Sequence, residues 1–168
     1  MKLESLEYLF VHHLQDIYSA EKQITRELPK MAKATSSPDL EKAFTKHLKE
    51  TENQIKRLEK VFKQLDKSPG RKKCKGMEGL LEEGASLIEE EPEESVLDAG
   101  LISSAQRVEH YEISAYGTAI AWAELLGYDD AIGLLEQSLE EESAANEKLN
   151  ALAEGGINQE ALEPAAVE

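Results

Sequence analysis

The sequence predicts an all-α protein: a four-helix bundle with a long crossover between helices 2 and 3 that carries an extra short helix. Three observations lead there. Apolar residues recur at steps of three and four along most of the 168 residues, the spacing of a helix with one buried face. Only five prolines and ten glycines interrupt the chain, and aromatic residues make up 5% of it, a poor composition for a β-sandwich. The periodic segments also fall into two pairs, separated by a connection of about thirty residues.

The first helix is predicted over 3–34, stopping before Thr35, Ser36, Ser37 and Pro38; the second starts at Pro38 or Asp39 and runs to about Asp66, so the link between them is a tight hairpin. Lys67 to Gly76 reads as a polar loop. Met77 to Glu91 reads as a short helix with Leu80, Leu81, Ala85, Leu87 and Ile88 on its apolar side, closed by Pro92. The third long helix spans about 94–127 and ends at Gly127; the fourth runs from about Asp129 to Ala153, ahead of Gly155 and Gly156, both glycine stops being typical of helix C-termini. One bundle domain over 1–156 and a frayed tail over 157–168 are expected. A helix of about 26 residues is ~39 Å long, so the connection before the third helix can travel back along the bundle, which is the ferritin-like arrangement.

Charge is unevenly spread. The chain carries 34 acids against 19 bases, a net −15, which disfavours nucleic acid and anionic membrane as partners. Residues 1–77 hold 17 bases and 11 acids, whereas residues 78–168 hold two bases, Arg107 and Lys148, and 23 acids. Unlike charges on the two halves would help them pair; the sharper alternative is that the acidic half collects cations. No apolar run approaches the ~20 residues that cross a bilayer. With one cysteine, Cys74, and no basic segment leading into an apolar leader, a cytoplasmic location is expected.

A polar residue stands at the centre of each apolar stripe. On the first helix the stripe is Phe10, Leu14, Ile17, Glu21, Ile24, Leu28 and Met31; on the third it is Leu101, Ala105, Val108, Glu112, Ala115, Ala119 and Trp122, with Glu109 one turn before Glu112. The fourth gives Leu135, Leu139, Glu142, Asn146, Leu149 and Ala153. The second gives Phe44, Leu48, Thr51, Ile55, Leu58, Phe62 and Leu65, with His47 and Gln54 beside Thr51. Helices of similar length packed side by side share a midpoint, so Glu21, Glu109, Glu112 and Glu142 should converge. Buried carboxylates must be protonated, paired with a cation or bound to metal. No lysine or arginine occupies these stripes, and carboxylates from facing helices suit iron or manganese.

The segments Asp16 to Gln23 (DIYSAEKQ), Thr51 to Leu58 (TENQIKRL), Val108 to Thr118 (VEHYEISAYGT), Leu139 to Glu142 (LEEE) and the stretch around Cys74 to Leu80 resemble the YciE/YciF family of ferritin-like bacterial stress proteins. That resemblance implies a rubrerythrin-like bundle with an additional helix, a homodimer and induction under stress. Rubrerythrin-like di-iron sites take a glutamate from the first helix, Glu-x-x-His from the second, glutamates from the third and Glu-x-x-His from the fourth. Glu21, Glu109, Glu112 and Glu142 match that pattern, whereas Thr51 and Gln54 stand where the second helix should give Glu and His, and Ala145 stands where the fourth should give His. The implied cofactor is iron or manganese, mono- or dinuclear, with His47, Thr51, Gln54 and Asn146 as replacement ligands or as supports behind the ligands. The alternative is a metal-free structural or interaction protein in which the same residues form a hydrogen-bonded core.

His12, His13 and His110 are expected at the surface or edge, and Tyr111, Tyr116 and Trp122 to pack against the core or bond to the glutamates. Cys74, flanked by Arg71, Lys72, Lys73 and Lys75, is expected in an exposed basic loop with a lowered thiol pKa. No Gly-rich phosphate loop, Cys-x-x-Cys pair or nucleophile elbow occurs.

Overall fold

The computed structural model describes residues 4–162. Ser5 caps the first helix by accepting from the Tyr8 backbone N–H at 3.3 Å, and α1 runs Leu6–Ala34. Ser37 does the same for Leu40, and with Pro38 in the first turn it starts α2, Pro38–Gln64. These are the side-chain acceptor and the preset φ that a helix start favours. Cys74 begins the short α3, Lys75–Glu89. The long α4, Glu94–Leu126, ends on Gly127 at φ 73°, a left-handed position that a glycine occupies without Cβ strain. Helix α5, Asp129–Leu152, passes through a π-helical turn, Ala153–Ile157, into the five-residue α6, Asn158–Leu162.

The helices pack as a ring of α1, α2, α5 and α4, with α1–α2 and α4–α5 as hairpins. The crossover from α2 to α4 carries α3, which lies against α4 and α1. This is the predicted ferritin-like four-helix bundle. The tail departs from expectation: Ile157 is buried, and α6 packs on α4 instead of fraying at 157. The rest of the expected tail, 163–168, lies outside the described residues.

Two apolar blocks fill the interior. One, with Leu28, Met31, Leu40, Phe44, Leu101 and Leu149, lies toward the α1–α2 hairpin. The other, with Phe10, Leu14, Phe62, Tyr116 and Leu135, lies toward the far end. Polar residues separate them. The α1–α2 turn is tied to α4 by Asp98, a buried carboxylate that accepts from the Thr35 hydroxyl at 2.5 Å and from the Ser36 N–H and hydroxyl at 3.0 and 2.7 Å. Between the basic and acidic halves, Arg57 of α2 makes a two-pronged ion pair with Glu141 of α5, both bonds 2.7 Å.

Candidate metal centre

The mid-stripe glutamates do meet. Glu21 from α1, Glu109 and Glu112 from α4, and Glu142 from α5 are all at most 3% exposed. Glu109 and Glu112 share one face because they are three residues apart on a helix. His47 of α2, expected beside the stripe, lies on the buried face itself, in step with Phe44, Thr51 and Gln54, and is 4% exposed. Its Nε2 lies 3.4 Å from Glu109 and 3.6 Å from Glu142, and its Nδ1 lies 3.5 Å from the half-buried Glu50.

Hydrogen bonding is incomplete. The Tyr116 hydroxyl donates to Glu21 Oε1. The Gln54 amide donates to Glu142 Oε1 at 2.5 Å and to Glu141 at 3.1 Å. Among the described residues, no hydrogen-bond partner reaches Glu21 Oε2, Glu109 Oε2, either oxygen of Glu112, Glu142 Oε2 or either ring nitrogen of His47. Buried polar atoms are ordinarily satisfied, so such a concentration marks a place where protons or a bound cation would supply the missing partners.

The electrostatics follow from this crowding. Burial and the Glu142 charge push Glu21 up to about 8. Burial and neighbouring carboxylates raise Glu112, and burial raises Glu109 against the opposing pull of His47. Burial alone would drive His47 down, but Glu109, Glu142 and Glu50 outweigh it and carry its pKa up to about 10. The cluster thus holds protons that free side chains would release at neutral pH.

One ligand atom from each of His47, Glu109, Glu112 and Glu142 lies within 4.8 Å of the other three. Opposite ligands of a small divalent ion at ~2.1 Å would be ~4.2 Å apart, so a sub-ångström contraction suffices. Three carboxylates and an imidazole are a donor set for iron, manganese or zinc, and the residues fit an ion. Glu21 abuts this group, held by Tyr116.

Not every expected residue joins. The Thr51 hydroxyl is spent on the His47 carbonyl at 2.9 Å, a back-bond along its own helix. Asn146 is half-buried and accepts from Gln106 at 3.4 Å. Gln54 supports Glu142 with its N–H, leaving its own oxygen unpartnered. Cys74 overturns the expectation of an exposed, activated thiol. It is fully buried beneath α3, with Sγ 3.0 Å from both Asp16 and the Tyr111 hydroxyl, and burial pushes its pKa up. Lys72 pairs with Asp16 and Lys73 with Glu78. Tyr111 bonds to Asp16 at 2.6 Å and not to the glutamates.

Because Glu112 carries two buried, unpartnered oxygens, Glu112→Gln is expected to stabilise the metal-free protein by about 1–2 kcal/mol. The amide keeps the shape, donates to neighbouring carboxylates and removes the cost of holding a buried carboxyl protonated at neutral pH. Chemical denaturation of the chelator-treated pair checks this; a loss of stability would show that the carboxylate is paired in a way the geometry does not contain.

A four-helix bundle with one long crossover and acidic side chains converging at mid-height is a ferritin-like protein. Residues 5–162 match the family described as Domain of unknown function (DUF892), and the chain belongs to that family. Protein YciF of Escherichia coli strain K12 is 48% identical over 162 residues, covering 96% of this chain and 98% of YciF. The crystal structure of the E. coli stress protein YciF matches with a TM-score of 0.90 at 48% identity, over 93% of this chain and 99% of that one. YcfI from Rhodopseudomonas palustris matches at 0.86 and 48%, over 89% and 95%. A Xanthomonas campestris protein, 20% identical, shares the fold with a TM-score of 0.77 over 97% of this chain and 100% of its own. No helix among the described residues is long and apolar enough to cross a membrane.

Proposed function

We propose that the chain is a cytoplasmic, homodimeric stress-response protein whose core cluster binds iron or manganese through Glu109, Glu112, Glu142 and His47, with Glu21 alongside, in iron- or peroxide-related chemistry. The carrying observation is the set of buried, unpartnered ligand atoms within 4.8 Å of one another. The stress role is drawn from the description of E. coli YciF as a stress protein. An ion held there would supply an open coordination position and, for iron or manganese, a change of oxidation state. The chain's residues provide the rest. Tyr116 and Gln54 fix the outer oxygens of Glu21 and Glu142, the apolar blocks above and below limit water, and the glutamates give up their protons to an incoming cation.

Elemental analysis of protein purified without chelator, then loaded with Fe(II) or Mn(II), tests the reading. Near-stoichiometric metal in the wild type and its loss in Glu112→Ala are expected; no uptake by the wild type would reject it. Light scattering should give twice the 18.7 kDa chain mass, and a monomer would remove the dimer.

A second reading is favoured by the same two donated hydrogen bonds together with His47. With that cation among protonated glutamates, the layer can stand without metal as a structural network. It predicts normal folding and no uptake.

A further inference from the structure

Two openings reach the cluster among the described residues: a slight one of about 10 Å³ at Glu109 among α1, α3 and α4, and a wider one between α2 and α5. The wider one, of about 40 Å³, is floored by His47 and Glu109, walled by Ala144 and Ala145, and rimmed by Lys46 and Lys148. The residual exposure of the cluster follows it. His47 and Glu109 keep 4% and 3%, whereas Glu21, Glu112 and Glu142, which do not line it, keep 0–1%. Both ring nitrogens of His47 sit 3.4–3.6 Å from carboxylates, too far for close hydrogen bonds, and Glu109 Oε2 has no hydrogen-bond partner among the described residues, so the floor carries an unsatisfied polar atom.

The sequence explains the gap. Helix α5 presents two consecutive alanines, Ala144 and Ala145, opposite His47, and a larger side chain at 145 would stand in the opening. The ion pair of Arg57 with Glu141, nearer the start of α5, closes the same seam elsewhere. At ~10–15 Å³ per water-sized molecule, 40 Å³ admits about three such molecules. An ion wearing a full octahedral shell of six waters is too large.

We infer that this α2–α5 opening is the access port of the buried cluster, and that Ala144 and Ala145 set its size limit at solutes of two or three heavy atoms. Its chemical use rests on the metal-centre reading above. Its existence does not, so the port is tested on metal-free protein.

The probe is dissolved dioxygen, a paramagnetic molecule of the right size, applied under pressure while proton relaxation is followed by NMR. In the wild type, the Ala145 methyl and His47 ring protons should relax several-fold faster under oxygen. The methyl of Ala119, fully buried in the far apolar block, serves as the reference. Ala145→Leu should remove at least three-quarters of the enhancement at His47 while leaving the circular dichroism and the Ala119 signal unchanged. Ala144→Leu, at an exposed position, is the second plug should the first variant fold poorly. Equal enhancement at His47 with the plug in place, or none in the wild type, overturns the port. Failure of the metal reading appears separately, as absence of Fe(II) or Mn(II) uptake by the unmodified chain.

Discussion

Replacing His47 by alanine should destabilise the metal-free protein by about 3–5 kcal/mol at pH 7, the cost of removing one partner from a buried ion pair. His47 is the one cationic side chain among four buried glutamates, 3.4 Å from Glu109 and 3.6 Å from Glu142. Without it these carboxylates must take up further protons or remain unpaired, and the vacated space adds a cavity cost. Its elevated pKa supplies a check that a purely steric role would not pass. The penalty should shrink as pH rises through about 10, where the wild-type imidazole itself becomes neutral. Denaturant melts of both proteins at pH 7 and 10 measure it; a penalty independent of pH would mean that His47 acts by filling space alone.

The metal-free wild type should be most stable near pH 5 and lose stability steadily toward pH 10. The sign follows from proton counts: stability falls with rising pH wherever the native state holds more protons than the unfolded chain. Glu21, raised from 4.5 to about 8, contributes fully below pH 4.5 and has lost its contribution once pH passes 8. His47, raised from 6.5 to about 10, contributes fully below 6.5 and loses it through 10. Glu109 and Glu112 shift the same way. Each such proton makes a slope of about 1.4 kcal/mol per pH unit within its window. On the acid side, Asp16 and Glu50 have lowered values, set against burial by their hydrogen-bond and charge partners, so their contributions are present above the ordinary carboxylate range and lost below it. Bound metal should invert the alkaline limb, because an ion takes the place of the protons and binds better as they leave. Calorimetry with chelator and with Mn(II), from pH 5 to 9.5, gives both profiles. A flat profile without metal would contradict the raised values.

Much of this architecture was readable along the chain. Helix ends at Ser37–Pro38 and Gly127 are written in capping chemistry, which acts over three or four residues and needs no tertiary knowledge. Glu21, Glu112 and Glu142 were found because a charge at the centre of an apolar stripe has only one direction to point. His47 was legible only as a replacement, since apolar spacing favours its neighbour Leu48, whereas the buried face of α2 steps through Phe44, His47, Thr51, Gln54 and Leu58. Cys74 was misread for a related reason: four neighbouring bases describe a loop in water, but α3 folds over α1 and α4 and covers it. Thr51 and Asn146 sit at the right height, yet each spends its oxygen elsewhere, Thr51 on the His47 carbonyl of its own helix and Asn146 on the Gln106 amide of α4. The buried Asp98 clamp left no periodic signature at all, because its partners lie in a turn more than sixty residues away.

The charged layer between two hydrocarbon blocks also acts as an index mark for assembly. Slide one rod past its neighbours by a single turn, and leucine or alanine would face the acids while a glutamate became stranded in grease. Greasy surfaces alone would tolerate several such offsets with little penalty; a mid-level acidic stratum tolerates one. The alignment on which any chemistry at this level depends is therefore enforced by the very groups that would carry it out.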